Sequence, residues 1–595
     1  MWADAYASPH EPAFEIAHSF SGRRWRLPAI DNAAVRALST QAEISLLLAR
    51  LLAARGVSAN EARDYLNPTI KRLLPEPRLF KDMEKAVARV QAAIVACENI
   101  AVFGDYDVDG SCSAAMMRDF LTAIGHKPRI YIPDRMTEGY GPSAAALLKL
   151  KDEGISLVIT VDCGATATAA LTAAHDAGLD VIVLDHHAVE TLPPVFAQVN
   201  PNQPGDKSGM NYLCAAGVTF LFLVALSRAL RESFWYAKNF VVEPDMMGAL
   251  DLAGLATICD VVPLIGLNRA FARGGLARLA MLKRKGFAAL ARVANAEPPF
   301  TTHHLGFVFG PRINAGGRVG RCSLGVELLT GLTEEECNEA ALQLDLHNRE
   351  RQAIEQIILE DAIAMASTQA NAPFVLVAKD GWHPGVVGIV AGRLRERFGK
   401  PAFVAGFEGG MGRGSVRSVP GVDVGAAVRE AAQAGVIDSG GGHAMAAGFS
   451  IYESQLDGFV QFLAARFAET GGIVTVDVDL DLMVSPRGAT QQLAEEIALG
   501  GPYGAGNPEP MLVVPDARLV FADVVGKNHI RFRLAGHDGA RLDGIAFRAV
   551  ETKLGEGLLK ARGQLIHAAG KLRAEEWQGR VRVQLHLEDA ASAQA

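Results

Sequence analysis

Ile100-Ala101-Val102-Phe103-Gly104-Asp105-Tyr106-Asp107-Val108-Asp109-Gly110 is the stretch from which the fold can be read. Its first half is a short apolar run, which reads as a strand buried on both faces. Its second half carries three carboxylates, Asp105, Asp107 and Asp109, at the end of that strand. Carboxylates this close repel one another and are costly to keep ionised unless cations sit among them. Clustered oxygen donors suit Mg²⁺ or Mn²⁺. Asp-x-Asp-x-Asp-Gly also opens a calcium EF-hand loop, but that loop needs a preceding helix and a Glu at its twelfth position, which here is Met116. A solvated acidic turn is the remaining plain reading of this segment alone.

Two later segments repeat the grammar. Leu157-Val158-Ile159-Thr160-Val161 runs into Asp162-Cys163-Gly164, and Val181-Ile182-Val183-Leu184 runs into Asp185-His186-His187. Segments rich in Ala and Leu separate them and read as helices. Alternating strands and helices imply right-handed crossovers and a doubly wound parallel sheet. Such a sheet gathers its C-terminal strand ends at one edge, where ligands bind. The acids should therefore converge although they lie far apart in the chain. Two adjacent His in an extended segment point to opposite sides, so one can ligate a metal while the other faces substrate. Asp260 interrupts the apolar stretch Leu255 to Leu264. Alone it also admits a helix cap or a buried hydrogen-bonded acid; beside the other acids it reads as a fourth ligand site.

Composition bounds the rest. The chain of 595 residues implies several domains, and 49% hydrophobic residues leave ample core. Seven cysteines with no Cys-x-x-Cys pair fit a reduced, cytoplasmic protein. No basic segment followed by an apolar one marks a signal peptide. The longest apolar run, Tyr212 to Leu226, is short for a bilayer and reads as a buried helix. A net charge of −8 argues against a uniformly basic surface but not against a local basic groove.

The expected organisation is a mainly helical lead-in over 1–90, packed on a catalytic α/β domain over 91–330. A Gly-Pro-Arg loop near 310 closes that domain. A connecting helix over 331–372 opens with a Thr333/Glu336 capping box and shows Ile354, Ile357 and Ile358 on one face. A second α/β domain follows over 373–471. Over 472–591 short strands (Ile473 to Leu480, Met511 to Val514, Ile530 to Leu534, Leu565 to Ala568, Val581 to Leu587) suggest a small barrel of the OB type. Arg531-Phe532-Arg533, Phe547-Arg548 and Trp577 interleave cations and aromatics, as strand-stacking surfaces do. Ordinary strand alternation explains the same pattern equally well.

Taken together, Asp-Tyr-Asp-x-Asp-Gly, Asp-Cys-Gly and Asp-His-His resemble the DHH phosphoesterase superfamily, and within it the RecJ-type single-strand-specific exonucleases. The likeness runs through most of the chain. It includes Pro133-Asp134-Arg135, Glu138-Gly139-Tyr140-Gly141, Leu213-Cys214-Ala215-Ala216-Gly217-Val218 and Gly310-Pro311-Arg312-Ile313-Asn314-Ala315-Gly316-Gly317-Arg318. It continues with Trp382-His383-Pro384-Gly385, Gly414-Ser415-Val416-Arg417-Ser418, Gly440-Gly441-Gly442-His443 and Gly506-Asn507-Pro508-Glu509-Pro510.

The resemblance implies that the second α/β domain is a DHHA1 domain and that the last domain binds nucleic acid. It implies 5′→3′ digestion of single-stranded DNA by two-metal hydrolysis, releasing mononucleotides, in repair and recombination. Mn²⁺ or Mg²⁺ would be held by Asp105 and Asp107 on one side, Asp109, His186 and Asp260 on the other, and Asp162 between. Asp107, Asp109, Asp162, His186, His187 and Asp260 would carry catalysis, with Asp185 orienting a neighbour. Arg135, Tyr140, Arg312, Asn314, Arg318, Ser415, Arg417 and His443 would bind substrate. A single strand with a 5′ end is the expected partner, with a helicase and a single-strand-binding protein suggested by the resemblance; a monomer without membrane association is expected. The competing readings are a DHH phosphodiesterase for short oligonucleotides or cyclic dinucleotides, and a non-catalytic DNA-binding scaffold.

Overall fold

Burial on both faces turns the first apolar runs into an all-parallel sheet. The computed structural model describes residues 12–135, 137–369, 372–468, 477–577 and 580–593. Strands β1 (Ile100–Gly104), β2 (Arg129–Tyr131), β3 (Leu157–Val161), β4 (Asp180–Leu184) and β5 (Ala197–Val199) lie in the order β2-β1-β3-β4-β5. Ile100 pairs with Leu157 and Gly104 with Val161, so the ends of β1 and β3 are level. The chain goes from β2 at the edge across to β3, which places a topological switch point between β1 and β3. Asp105, Asp162 and Asp185 each follow the last residue of a strand at that edge.

Helices cover the sheet. α1 (Val108–Ala123) follows the acidic loop, with Asp107 as its N-cap. α2 (Ala215–Glu232) contains most of the long apolar run, and every residue from Ala215 to Leu223 is buried. Among the described residues no single helix is long and apolar enough to cross a membrane. α3 (Leu250–Cys259) ends at Asp260. The fourth acid thus comes from a helix C-terminus, the cap position that its sequence admits.

Two expectations change. The Gly310–Arg318 stretch, read as a loop, is helix α4 (Gly310–Val319), entered through a π-helical turn over His304–Phe309. Pro311 sits in its first turn, where its missing N–H costs nothing. Helix α5 (Glu334–Ser367) has the expected capping box, but of the isoleucines expected on one face Ile358 is buried while Ile357 is exposed.

The second α/β domain is a mixed sheet. Strands β6 (Val375–Asp380), β7 (Ala402–Glu408), β8 (Met411–Arg417), β9 (Ser439–His443) and β10 (Ala446–Tyr452) lie in the order β9-β10-β8-β7-β6. Only β6 and β7 are parallel. Phe403, Phe449 and Phe459 fill its core.

The C-terminal barrel closes with β11 (Leu512–Val525), β12 (His529–Ala535), β13 (Arg541–Ala546), β14 (Leu565–Trp577) and β15 (Arg580–Ser592). The order is β11-β12-β13-β15-β14, and β14 returns to β11. β13 replaces the strand expected over Ile473–Leu480. Gly544 weakens its signal, yet the residue is required there: a Cβ would lie 2.2 Å from the Phe532 ring, which fills the space. Residues 473–476 and the Trp577 side chain lie outside the described part.

The chain divides into two compact units. One comprises Met1–Leu74, Pro263–Arg273 and Thr475–Ala595; the other comprises Pro75–Val262 and Gly274–Val474. The lead-in expected to pack on the catalytic domain therefore belongs, up to Leu74, with the barrel. Trp25 explains why. It pairs in parallel with Val478, packs with Leu480, Val513 and Ala591, and donates from Nε1 to Asp589 at 3.0 Å.

Trp25→Ala should lower the stability of the barrel-containing unit by about 3–5 kcal/mol. Urea unfolding of the full chain should show that unit's transition at lower denaturant, with the transition of the other unit unmoved.

Candidate metal centre and adjoining cavity

The acidic loop is shaped by steric limits before any chemistry. Gly110 lies so close to the loop that a Cβ would sit 2.4 Å from the Asp105 carbonyl oxygen. Its N–H donates to the Asp107 carboxylate at 3.0 Å. Asp109, in the first turn of α1, reaches across to α2. The N–H groups of Ala215 and Ala216 donate to its two oxygens at 2.7 and 2.8 Å. A carboxylate from one segment thus caps the positive end of another helix. Asp162 holds a left-handed backbone, φ 62°, immediately after β3.

The Asp185-His186-His187 segment divides its work. Asp185 is fully buried and accepts from the Ala165 N–H at 3.0 Å and from its own two neighbours' N–H groups at 2.7 and 3.2 Å. It also bonds His187 Nδ1 at 2.7 Å. Burial opposes its ionisation, but the His187 bond and charge hold Asp185 below the usual carboxylate range. His187 is in turn raised to about 9, because its bond and attraction to Asp185 outweigh its burial. His186 goes the other way, down to about 4, through burial and the charge of His187. Asn202 Nδ2 and Asn200 Nδ2 donate to the carbonyls of His186 and His187 at 2.6 and 2.8 Å and fix the segment. The sequence reading missed both asparagines.

His186 Nε2 faces three acids, at 3.4 Å from Asp162, 3.6 Å from Asp260 and 3.9 Å from Asp109. Two groups of donors, each within 4.8 Å of one another, can hold an ion: Asp105, Asp107 and Asp162, and Asp109, His186 and Asp260. A third such group, Asp162, Asp185, His186 and His187, overlaps them. The first two follow the division that the resemblance implies.

The residues fit divalent cations on their own evidence. Asp105 Oδ1 and Asp260 Oδ2 are buried and accept no hydrogen bond from any described residue. Burial and mutual repulsion push Asp109 up to about 7 and Asp260 to about 9. Asp105 and Asp162 are pushed well above the usual range for the same reasons. Such a cluster is stabilised by positive charge among its oxygens. A neutral imidazole with a free Nε2 beside carboxylates completes a donor set of the kind hard and borderline cations take.

A cavity of about 420 Å³ adjoins the acids and has the opposite character. Tyr106, Arg135, Tyr140, Arg318, Arg413, Ser415, Arg417, Ser439 and Ser450 are in its wall, and none of its lining residues is acidic. Tyr106, between two acids in sequence, lies under the Arg135 guanidinium at 5.4 Å. Gly317 of α4 makes room for that ring, since a Cβ there would be 2.9 Å from it. The Tyr140 hydroxyl donates to the Asp162 carbonyl at 3.0 Å and lies 3.4 Å from the His187 ring nitrogens. The arginines are held by neutral oxygens. Arg318 Nη1 donates to the Gly385 carbonyl at 3.0 Å, and Arg417 Nη1 to Ser415 Oγ and the Val416 carbonyl at 2.9 and 3.0 Å. Burial and the neighbouring Arg135 bring Arg318 down to about 10, and burial also lowers Arg417.

The structure thus brings Arg135, Tyr140, Arg318, Ser415 and Arg417 to one cavity. Arg312, Asn314 and His443 are not in its wall. Arg312 is engaged elsewhere, with Asp345 at 2.9 Å and the Val308 carbonyl at 2.8 Å, where it ties α4 to α5. Asn314 Oδ1 is buried without a partner among the described residues, and His443 is exposed at the end of β9. Arg413 was missed, though the spacing of two in Arg413-x-Ser415-x-Arg417 was a strand signal for one shared face.

Comparison with known proteins agrees with this geometry. Residues 99–250 match the DHH family, N-terminal domain; residues 371–469 match the DHHA1 domain; residues 480–589 match the RecJ OB domain. The single-stranded-DNA-specific exonuclease RecJ of Bacillus subtilis is 34% identical over 584 residues, covering 96% of this chain and 71% of that protein. The chain belongs to the RecJ family of single-stranded-DNA-specific exonucleases. RecJ of Escherichia coli is 35% identical over 537 residues, covering 86% of this chain and 90% of that protein. The crystal structure of Thermus thermophilus RecJ in complex with Mn²⁺ superposes with a TM-score of 0.80 at 29% identity, covering 96% of this chain and 80% of that one. A second structure of the same RecJ, with Mg²⁺, gives 0.75 at 27% identity, covering 96% of this chain and 79% of that one.

Gly110→Ala should weaken Mn²⁺ binding about 10–100-fold by displacing Asp105. Titration calorimetry on the folded variant measures the loss; an affinity equal to that of the wild type would show that the loop tolerates the methyl group.

Proposed function

We propose that this chain digests single-stranded DNA from its 5′ end, one nucleotide at a time, using two divalent cations. One observation carries the reading: a buried cluster of acids adjoins a cavity that is cationic and free of carboxylates. A metal-dependent phosphodiesterase needs the first, and recognition of a phosphorylated strand end needs the second.

Asp105, Asp107 and Asp162 would hold one cation and Asp109, His186 and Asp260 the other. Bound there, the cations supply Lewis acidity and neutralise charge at the scissile phosphate. His186 stays neutral near pH 7 and keeps its Nε2 lone pair available. His187 stays protonated, oriented by Asp185, and is the group placed to contact the phosphate or give a proton to the leaving oxygen. Tyr140 orients His187 and borders the path to the cavity.

Arg135, Arg318, Ser415 and Arg417 would bind the terminal 5′ phosphate. A guanidinium presents a planar fork to phosphate oxygens, and burial removes competing water. The barrel supplies a second contact surface for a longer strand. On its outer face Arg531 and Arg533 lie 5.6 and 5.4 Å from the Phe521 ring. Phe547 is 53% exposed between the rings of His529 and His586. Exposed aromatics beside cations suit stacking on bases and tracking of backbone. A helicase and a single-strand-binding protein as partners, and a monomeric state, belong to the same reading.

Asp162→Ala should abolish hydrolysis of end-labelled single-stranded DNA and leave DNA binding within a small factor of wild type. With a label at either end, wild type with Mn²⁺ should release the 5′ label first and leave duplex intact. Efficient turnover of a dinucleotide alone would move the assignment to a short-substrate phosphodiesterase. Arg417→Ala should reduce the preference for 5′-phosphorylated over 5′-hydroxyl ends about tenfold or more, the scale of one charge-assisted contact. An unchanged ratio would remove Arg417 from the end-binding pocket.

A further inference from the structure

The cavity continues beyond the residues assigned to a terminal phosphate. Its floor is the outer face of β8, β10 and β9, and strand register divides that face into three cross-strand rows. Arg417 pairs with Ala446, which pairs with His443. Ser415 pairs with Gly448, which pairs with Gly441. Arg413 pairs with Ser450, which pairs with Ser439. Successive rows are two residues apart, or roughly 6.6–6.8 Å along the strand. The first two rows hold the groups proposed for the 5′ phosphate. The third is part of the same cavity wall and has no role in that reading.

Beyond Ser415 the middle row carries only glycines. A Cβ at Gly441 would meet nothing within 4 Å, and one at Gly448 would meet only the Gly414 carbonyl, at 3.8 Å. A ligand can therefore lie flat across the sheet from Arg417 to Arg413. At the far end stand one guanidinium and two hydroxyls. The side chain of the exposed Arg413 forms no ion pair or hydrogen bond with the described residues, and no carboxylate lines the cavity to balance it. Four arginines in one cavity, against one phosphate carrying at most two charges, leave positive charge unmatched. Arg318 already feels Arg135, Arg351 and Arg417 as repulsion. More anionic charge, bound in a line, would relieve it.

We infer that the row Arg413, Ser450 and Ser439 is a binding site for additional 5′ phosphoryl groups, so that the enzyme accepts strands ending in a 5′ di- or triphosphate. The inference rests on the exonuclease reading above and extends its end-binding pocket. The chemistry at the scissile bond is unchanged. Water adds to the phosphorus linking the first and second nucleotides, and the bond from that phosphorus to the 3′ oxygen of the first breaks. One water proton passes to that 3′ oxygen. The first nucleotide leaves as a nucleoside 5′-triphosphate with a free 3′ hydroxyl. The shortened strand keeps a 5′ monophosphate, so each strand yields one triphosphate and then only monophosphates.

The test uses one DNA sequence with a 5′ hydroxyl, monophosphate or triphosphate. Wild type should digest the triphosphate strand with a KM no higher than that of the monophosphate strand, and chromatography should find one nucleoside triphosphate per strand. Arg413→Gln should raise the triphosphate KM about tenfold and leave the monophosphate KM and kcat unchanged. Ser450→Ala, a smaller change on the same row, should act in the same direction. Competition binding in chelated enzyme provides an arm without turnover: the triphosphate strand should bind tighter than the monophosphate strand, and Arg413→Gln should erase the difference. Equal or weaker binding of the triphosphate strand, or equal loss for both ends in Arg413→Gln, overturns the inference. If no end is digested, the exonuclease reading fails, and the binding difference still decides whether the row takes phosphoryl groups.

Discussion

Repulsion among buried carboxylates is the constraint around which this molecule is arranged. Asp105, Asp109 and Asp162 are buried together, Asp260 is partly buried beside them, and among the described residues no lysine or arginine hydrogen-bonds to any of the four. What the protein supplies is geometry. Ends of parallel strands hold Asp105 and Asp162, α2 fixes Asp109 through two N–H groups, and the end of α3 presents Asp260. An apolar replacement for such a cluster would stabilise the fold. Its persistence beside oxygens that accept no hydrogen bond is explained by cations, which turn the repulsion into attraction.

The same logic, with the sign reversed, shapes the cavity beside it. Among the arginines of the same compact unit, Arg312 is paired with Asp345 and Arg284 with Asp251 and Asp119. Arg318 and Arg417 are instead held by carbonyl and hydroxyl oxygens, which orient a guanidinium without neutralising it. Tyr106 and Tyr140 stand between the two regions. One lies against Arg135 and the other bonds the Asp162 backbone, so acids and guanidinium groups are kept apart by aromatic rings rather than allowed to pair. Direct pairing would cancel both charges and leave nothing for cations or phosphate to bind.

Much of this was legible in the sequence, and the failures have physical causes. Apolar runs ending in acids specify parallel strands and their edge, because burial on both faces leaves no other use for such a run. Asp260 admitted either a helix cap or a ligand site from sequence, since Leu255 to Cys259 is apolar in either conformation, and it stands at the C-cap of α3 beside the other acids. The Gly310–Arg318 helix was hidden by its glycines, which serve close approach rather than turning: Gly310 abuts Cys259, Gly316 abuts the Arg321 carbonyl and Gly317 abuts Tyr106. The place of Trp25 could not be read at all. Its partner Val478 is more than 450 residues away, and local pattern carries no record of such a pairing. Arg413 shows a subtler limit, because alternation names the face a residue shares without saying what that face adjoins.

The long helix α5 connects these charges to function. Its 34 residues span about 51 Å at 1.5 Å per residue. Asp345 on this helix binds Arg312 of α4, and further along Glu355 binds Arg351 and Arg393. Ile358, Ala362 and Ala366 pack with Val375, Val387 and Val404 of the second α/β domain. One rigid element therefore packs against both the helix that carries Arg318 and the sheet that carries Arg417. An enzyme that removes one unit per cycle needs a fixed separation between the group that holds the end and the group that cuts. Flexible loops would let that separation vary, and a capped, ion-paired helix packed at both ends does not. If Arg318 and Arg417 hold the strand end as proposed, that separation is set by α5 and its packing, and Arg351 of the same helix adds its charge beside Arg318.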